Sequence, residues 1–208
     1  VSPSYTGAVL LKIASPRDLP DQELRLALKV LALECIPLAE SVALHLATEG
    51  SDAYAYLFAR ESGALTPAVL AGVRARVRAL PVFEGCQVGA ERLQPVFDLS
   101  GASRAEEPRF HYVVEIDVPP EHEADLEAWY DQEHMPGLAA CPGTVRARRF
   151  RNPDGSPRHH SCYDLVRAET LQSAPWLAVR NTAWAGRVRP HFRNTRRTMF
   201  KRIFESEL

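Results

Sequence analysis

His134 and Tyr130 are the first candidates for chemistry. An imidazole titrates near neutral pH, and a tyrosine four residues earlier on a helix shares its face. On this reading His134 is a general acid or base with Tyr130 as its hydrogen-bond partner. The plain alternative is that His134 bonds a neighbouring strand and fixes a helix end. His111 and Glu115, four apart on a strand, also share a face. They form either a polar patch at a cavity or an ion pair with Lys12, and the pair is the reading favoured. His159 and His160 are adjacent, so on a strand they point to opposite faces and make poor joint metal ligands. No other spaced set of His, Asp and Glu supplies one, so neither metal nor cofactor is expected.

Between Arg180 and Arg202 stand eight Lys or Arg residues and no acid, while the stretch Glu121–Glu133 carries six acids. The basic run is either a solvated face balanced by the acidic helix or the source of an anchor for a carboxylate or phosphate. Arg193, Arg196 and Arg197 are the anchors considered. Strand alternation puts Arg196, Thr198, Phe200 and Arg202 on one side, and Arg197, Met199 and Lys201 on the other. Trp129, Trp176 and Trp184 are core residues or walls for a flat ligand; the last two, eight apart, project from a similar helix face.

The elements that must position these groups come in a repeated order. Ala8–Ala14 is an apolar run suited to a buried strand, and Asp21–Glu34 is rich in helix formers. Ser41–Thr48 and Tyr54–Arg60 flank the turn Glu49-Gly50-Ser51-Asp52 as a hairpin. Thr66-Pro67 starts a helix, and Arg92–Phe97 is a closing strand. After a turn-rich stretch the order returns: strand Tyr112–Val118, helix from Pro119-Pro120 to about His134, strands Gly143–Phe150 and His160–Val166 about Asn152-Pro153-Asp154-Gly155, helix from Pro175, strand Thr195–Phe204. The residues repeat as well. Glu34-Cys35-Ile36-Pro37 answers Glu133-His134-Met135-Pro136, Leu11-Lys12-Ile13 answers Val114-Glu115-Ile116, and Pro67 answers Pro175.

This predicts an α+β chain of two ferredoxin-like βαββαβ units, 1–98 and 110–208, joined by a linker at 99–109. Each unit forms a four-stranded antiparallel sheet with both helices on one face. The bare faces must be covered, so the sheets are expected to pack face to face as an intrachain α+β barrel. A net charge of −1 argues against a general polyanion binder. No apolar run is long enough to span a bilayer, and Val1-Ser2-Pro3-Ser4-Tyr5 shows no secretion signal. Four cysteines without paired spacing read as reduced thiols in a cytoplasmic protein. RNA recognition, the other common use of this element order, is disfavoured: His159–Leu165 lacks the required glycine-aromatic pattern, and Tyr54–Phe58 lacks its glycine and basic start.

Trp129-Tyr130-Asp131-Gln132-Glu133-His134-Met135-Pro136, followed by Pro142-Gly143 and Arg149, resembles the dimeric α+β barrel superfamily, in particular the EthD-like branch named for ethyl tert-butyl ether degradation. The resemblance covers the second half; the first half enters through the repeat. It implies a small-molecule binder and, if an enzyme, one of the cofactor-independent oxygenase, cyclase or isomerase type. Trp129, Tyr130, His134 and Arg149 become Val30, Leu31, Cys35 and Leu46 in the first copy, so the second copy is expected to carry the site. The expected pocket combines His134 and Tyr130 as acid–base residues with Trp129, Arg149, His111, Glu115, Trp176 and Arg196 as ligand contacts. The expected ligand is a small aromatic or polyketide-like molecule; the alternative is a non-catalytic binder of a small molecule or haem. Helix Asp21–Glu34 carries two apolar stripes, Leu24, Leu28 and Leu31, and Leu26, Val30 and Leu33. One stripe is left over after packing, which predicts a homodimer.

Overall fold

In the computed structural model residues 5–208 are described; Val1–Ser4, on which the absence of a secretion signal was read, lie outside the described residues. The first unit contains β1 (Gly7–Ala14), α1 (Asp21–Cys35), β2 (Ala39–Ala47), β3 (Ala53–Ala59), α2 (Pro67–Ala79) and β4 (Gln87–Ser100). The second contains β5 (Phe110–Asp117), α3 (Pro120–Trp129), α4 (Met135–Ala139), β6 (Thr144–Arg151), β7 (His159–Leu165), α5 (Ala174–Arg180), α6 (Ala183–Val188) and β8 (Arg193–Glu207). Backbone hydrogen bonds link the strands in the order β1-β3-β2-β8-β5-β7-β6-β4 and back to β1, an eight-stranded antiparallel closed barrel. The fold is α+β, as the repeat predicts.

Both closing strands exceed their expected lengths. β4 runs on to Ser100, into the stretch read as linker, and β8 spans Arg193–Glu207 rather than Thr195–Phe204. The compact units divide within these strands: one comprises residues up to Pro95 with Phe200–Leu208, the other Val96–Met199. In the first unit β2 pairs with the end of β8, from Ala47 opposite Phe200 to Ser41 opposite Glu207. A sequence window sees only the alternation of a strand, whereas its length is set by how many partner groups lie alongside.

The main core cluster of the first unit is largely aliphatic, with Tyr54, Tyr56 and Phe58 buried outside it. Leu24, Leu28 and Leu31 of α1 face Val9, Leu11, Val42 and Leu57 within one buried cluster. Leu26 and Leu33, on the opposite stripe, are 66% and 67% exposed. The second unit buries a more aromatic cluster with Trp129, Tyr130, Tyr163 and Trp176 among its members. No helix among the described residues is long and apolar enough to cross a membrane.

Three local features shape the second unit. The helix expected to stop near His134 instead widens into a π turn at Tyr130–His134 and continues as α4. Pro136, which has no N–H for the helical ladder, follows directly on this wider turn at the start of α4. The helix expected from Pro175 breaks in two, because the Thr182 side chain accepts from the Ala185 N–H and starts α6 afresh. Gly143 enters β6 at φ +93°, and a Cβ there would sit 2.5 Å from Thr170 Oγ1. Gly143→Ala is therefore expected to cost about 1–3 kcal/mol, read as a lowered melting temperature.

Candidate active site

A cavity of about 30 Å³, room for two or three water molecules, lies in the second unit between the helices and the helix-facing side of the sheet. Strand alternation supplies its floor, Tyr112 and Val114 of β5 and Tyr163 of β7, and brings the exposed Arg197 of β8 to its rim. Trp129, Tyr130, His134 and Leu138 come from the α3–α4 helix, Trp176 and Arg180 from α5, and Arg189 and Phe192 from the turn after α6. Aromatic rings make most of the wall.

The π turn explains how one helix delivers three of these groups. Met135 N–H bonds back to Tyr130 O, five residues earlier. In a regular helix, residues five apart point about 140° away from each other; the wider turn reduces that angle. Trp129 and His134 consequently stack at 4.1 Å between centroids, with Tyr130 edge-on to His134 at 5.7 Å. Trp129 is held in turn by its indole N–H donating to Glu133 Oε1 at 3.1 Å. Single-turn π bulges recur at functional sites, and nothing in the periodicity of the sequence announces this one.

His134 is neutral here. Burial, followed by the positive charges of Arg189, Arg180 and Arg149, drives its pKa from 6.5 down to about 3. Its Nδ1 is buried without a hydrogen-bond partner among the described residues, so with the proton on Nε2 it presents a bare lone pair. The helix-end bond considered above is absent at this atom. Burial pushes the phenols of Tyr112, Tyr130 and Tyr163 upward, which keeps them protonated as donors. Tyr163 already donates to Met135 Sδ at 3.2 Å.

Arg149 stands behind this wall. Its guanidinium lies 4.2 Å from the centre of the Tyr130 ring and donates to Asp131 Oδ1 and Glu127 Oε2, both at 2.8 Å. It clamps the π turn onto β6. Burial raises the Glu127 carboxyl, but the Arg149 charge and hydrogen bond outweigh it and the net shift is downward. Arg149→Met should cost about 1.5–3 kcal/mol, the range for charge-assisted hydrogen bonds, measured by urea unfolding. Charge repulsion between the acids it leaves keeps the change from being neutral.

The remaining sequence candidates lie elsewhere. His111 and Glu115 point to the other face of β5, away from this cavity, as their alternation against Tyr112 and Val114 requires. There His111 Nδ1 meets Asp164 Oδ1 at 2.7 Å, and Arg148 meets Asp164 Oδ2 at 2.9 Å. Glu115 lies 3.7 Å from His160 Nδ1. Lys12 pairs with Glu91 at 2.8 Å. Arg196 is exposed and does not line the cavity, whereas Arg197, its neighbour on the opposite strand face, does. Arg180, Arg189, Tyr112, Tyr163 and Phe192 are wall residues that the sequence reading did not select. Trp184 instead donates to Asp125 Oδ1 at 3.0 Å.

Glu123, Glu127 and His159 form a group whose ligand atoms lie within 4.8 Å of one another. Both carboxylates already accept from Arg151, at 2.8 and 2.9 Å. In the first unit, an open groove of about 320 Å³ is lined by Arg74, Arg78, Phe83, Cys86 and neighbouring residues.

No family model matches the chain, and no curated protein matches it. Among solved structures, an anthrone oxidase-like protein superposes with a TM-score of 0.63 at 17% identity, covering 97% of this chain and 93% of its own. A mutant chlorite dismutase from Candidatus Nitrospira defluvii, in complex with cyanide, gives 0.63 at 12% identity over 97% and 92%. A ferredoxin-fold protein related to antibiotic biosynthesis monooxygenases, from Listeria monocytogenes, gives 0.54 at 6% over 95% of each chain. What is shared is the α+β fold, here an eight-stranded antiparallel closed barrel. At these identities the likeness is one of fold, and function has to be argued from the site.

Proposed function

We propose that this cavity binds a small, flat aromatic or polyketide-like molecule and that His134 takes a proton from it. The observation that carries the reading is an unpartnered, neutral imidazole in a cavity walled by aromatic rings. Apolar walls with a few polar groups are what small-molecule sites usually show. In the step proposed, a C–H or O–H bond of the ligand breaks, the proton goes to His134 Nδ1, and the electron pair stays on the ligand as an enolate or phenolate. Oxygenation, cyclisation and isomerisation of such molecules can all start from that anion. The aromatic pair, Glu133-His134 and Pro142-Gly143 support an EthD-like assignment within the superfamily.

A ring does not fit into about 30 Å³, so binding requires the wall to open. Arg197 is an exposed side chain on its rim, and its rotation is the cheapest way in. Haem, the alternative raised by the sequence, would demand a far larger opening. The test uses anthrone, an aromatic carbon acid suggested by the anthrone oxidase-like neighbour, under nitrogen in D₂O. Deuterium entering its acidic CH₂ faster with protein than with buffer, by proton NMR, supports the reading. Binding without faster exchange leaves a non-catalytic binder, and the absence of both binding and exchange overturns the site.

We further propose a homodimer that covers the outer stripe of α1. Leu26 and Leu33 lie seven residues apart on one exposed stripe. The double variant Leu26→Glu, Leu33→Glu should move light-scattering mass from dimer to monomer at tens of micromolar, a rough working range. A wild-type protein already monomeric there sinks the idea. The four free thiols of Cys35, Cys86, Cys141 and Cys162 support a cytoplasmic location.

A further inference from the structure

Building on the reading that the cavity takes a flat aromatic molecule, we infer that its ligand is an anion, an aromatic carboxylate held by Arg180, Arg189 and Arg197. These three guanidinium groups, from α5, the turn after α6, and β8, converge on the same cavity as His134. No Asp or Glu lines it among the described residues.

The bland explanation is a basic face neutralised by the acidic helix α3, and the ion pairs show how far that goes. Asp125 is taken by Arg187 at 2.8 Å and by Trp184. Glu123 and Glu127 are taken by Arg151 and Arg149, and Asp131 by Arg149. Glu133 accepts from Trp129 and from Thr182, the latter at 2.6 Å. Apart from the exposed Glu121, the acidic stretch thus places its carboxylates on other partners. Arg180, Arg189 and Arg197 have no carboxylate partner among the described residues.

Leaving three such charges together is costly. Arg180 and Arg189 are half-buried, and burial together with Arg180 and Arg197 lowers the proton affinity of Arg189. Arg189 is nevertheless locked in place, its Nη1 donating to the Arg180 carbonyl at 2.9 Å. That bond leaves its Nε and Nη2 donors for a ligand. Like charges held together without a counter-ion are stabilised when an anion binds. Guanidinium is the side chain best matched to a carboxylate, through paired parallel N–H donors. The protonated phenol of Tyr112 adds a donor at the floor, and the Trp129 and Trp176 rings face the apolar remainder of the ligand.

The test compares 2-naphthoate with 2-naphthamide, which has the same shape and no charge, by isothermal titration calorimetry on the full chain. The carboxylate is expected to bind at least tenfold tighter. Arg189→Gln should remove most of that preference while leaving the naphthamide affinity within about twofold, a difference near the error of such additivity arguments. Arg196→Gln, an exposed arginine outside the cavity, should leave it intact. Equal binding of the two ligands by the wild-type protein overturns the inference while leaving the aromatic pocket standing. A loss as large in Arg196→Gln as in Arg189→Gln overturns it too, since general surface charge would then explain the preference. Binding of neither ligand overturns both the anion subsite and the pocket reading on which it rests. The wild-type comparison decides the matter even if Arg189→Gln fails to fold.

Discussion

His134→Gln is expected to slow protein-catalysed deuterium exchange into anthrone by about 10²–10⁴-fold, the usual contribution of a positioned general base. Glutamine is close to imidazole in size and can keep the contact with Trp129, but it has no lone pair basic enough to accept the proton. The affinity for the ligand should change much less, because the stacking walls remain. Tyr130→Phe should cost far less than His134→Gln, since Tyr130 acts by holding the imidazole edge-on. The pH profile separates a base from a merely structural residue. With its pKa lowered to about 3, His134 is deprotonated throughout the neutral and mildly acidic range. Exchange by the free protein should hold its rate as pH falls from 7 to about 4.5, where an ordinary imidazole would lose activity below about 6.5. A profile breaking near 6.5, or exchange unchanged in His134→Gln, assigns the proton transfer to another group.

The same burial makes the protein sensitive to acid. Folded His134 has a pKa of about 3 against 6.5 for the free group, so between these values the unfolded chain binds more protons than the folded one. Stability therefore rises with pH across that window and is lost as pH falls from about 6.5 towards 3. At 1.36 kcal/mol per unit, the full loss from this residue is on the order of 5 kcal/mol. His159, lowered to about 4 chiefly by burial, acts with the same sign over the upper part of the window. His134→Phe keeps the flat ring against Trp129 and removes the titration. Urea unfolding at a series of pH values from 7 to 4 should show a shallower slope for the variant, with the steeper wild-type slope attributable to His134. Parallel slopes would mean that His134 is solvated in the folded protein. An anion that binds beside Arg180 and Arg189 offsets two of the charges that depress His134. Ligand should therefore raise its pKa, and this is visible as a shift in imidazole NMR titration.

Element types and order were legible in the sequence because they depend on local chemistry. An apolar run marked Ala8–Ala14 and alternation marked Tyr112–Val118 as strands, Thr66-Pro67 and Pro175 marked helix starts, and Asn152-Pro153-Asp154-Gly155 marked a turn. The tandem repeat then carried the fold, since a βαββαβ unit leaves one sheet face to be covered. The same local reasoning placed His111 and Glu115 opposite Tyr112 and Val114, and the structure has them on those two faces. What alternation alone does not give is which face meets the cavity.

Tertiary structure decided the rest. The π turn depends on one shifted hydrogen bond, from Met135 N–H to Tyr130 O, and a single shifted bond leaves almost no trace in composition or hydrophobic period. It brings Trp129 to His134, where helical spacing had paired Tyr130 with His134. The clamp formed by Arg149 spans β6, α3 and the π turn, so its partners Glu127 and Asp131 are known only once those elements pack. Arg180 and Arg189 looked like members of a solvated basic run, because net charge along a stretch is readable but its pairing is not. Glu123, Asp125 and Glu127 of α3 found their partners by distance and direction in space, and Arg180, Arg189 and Arg197, left without a carboxylate among the described residues, face the cavity.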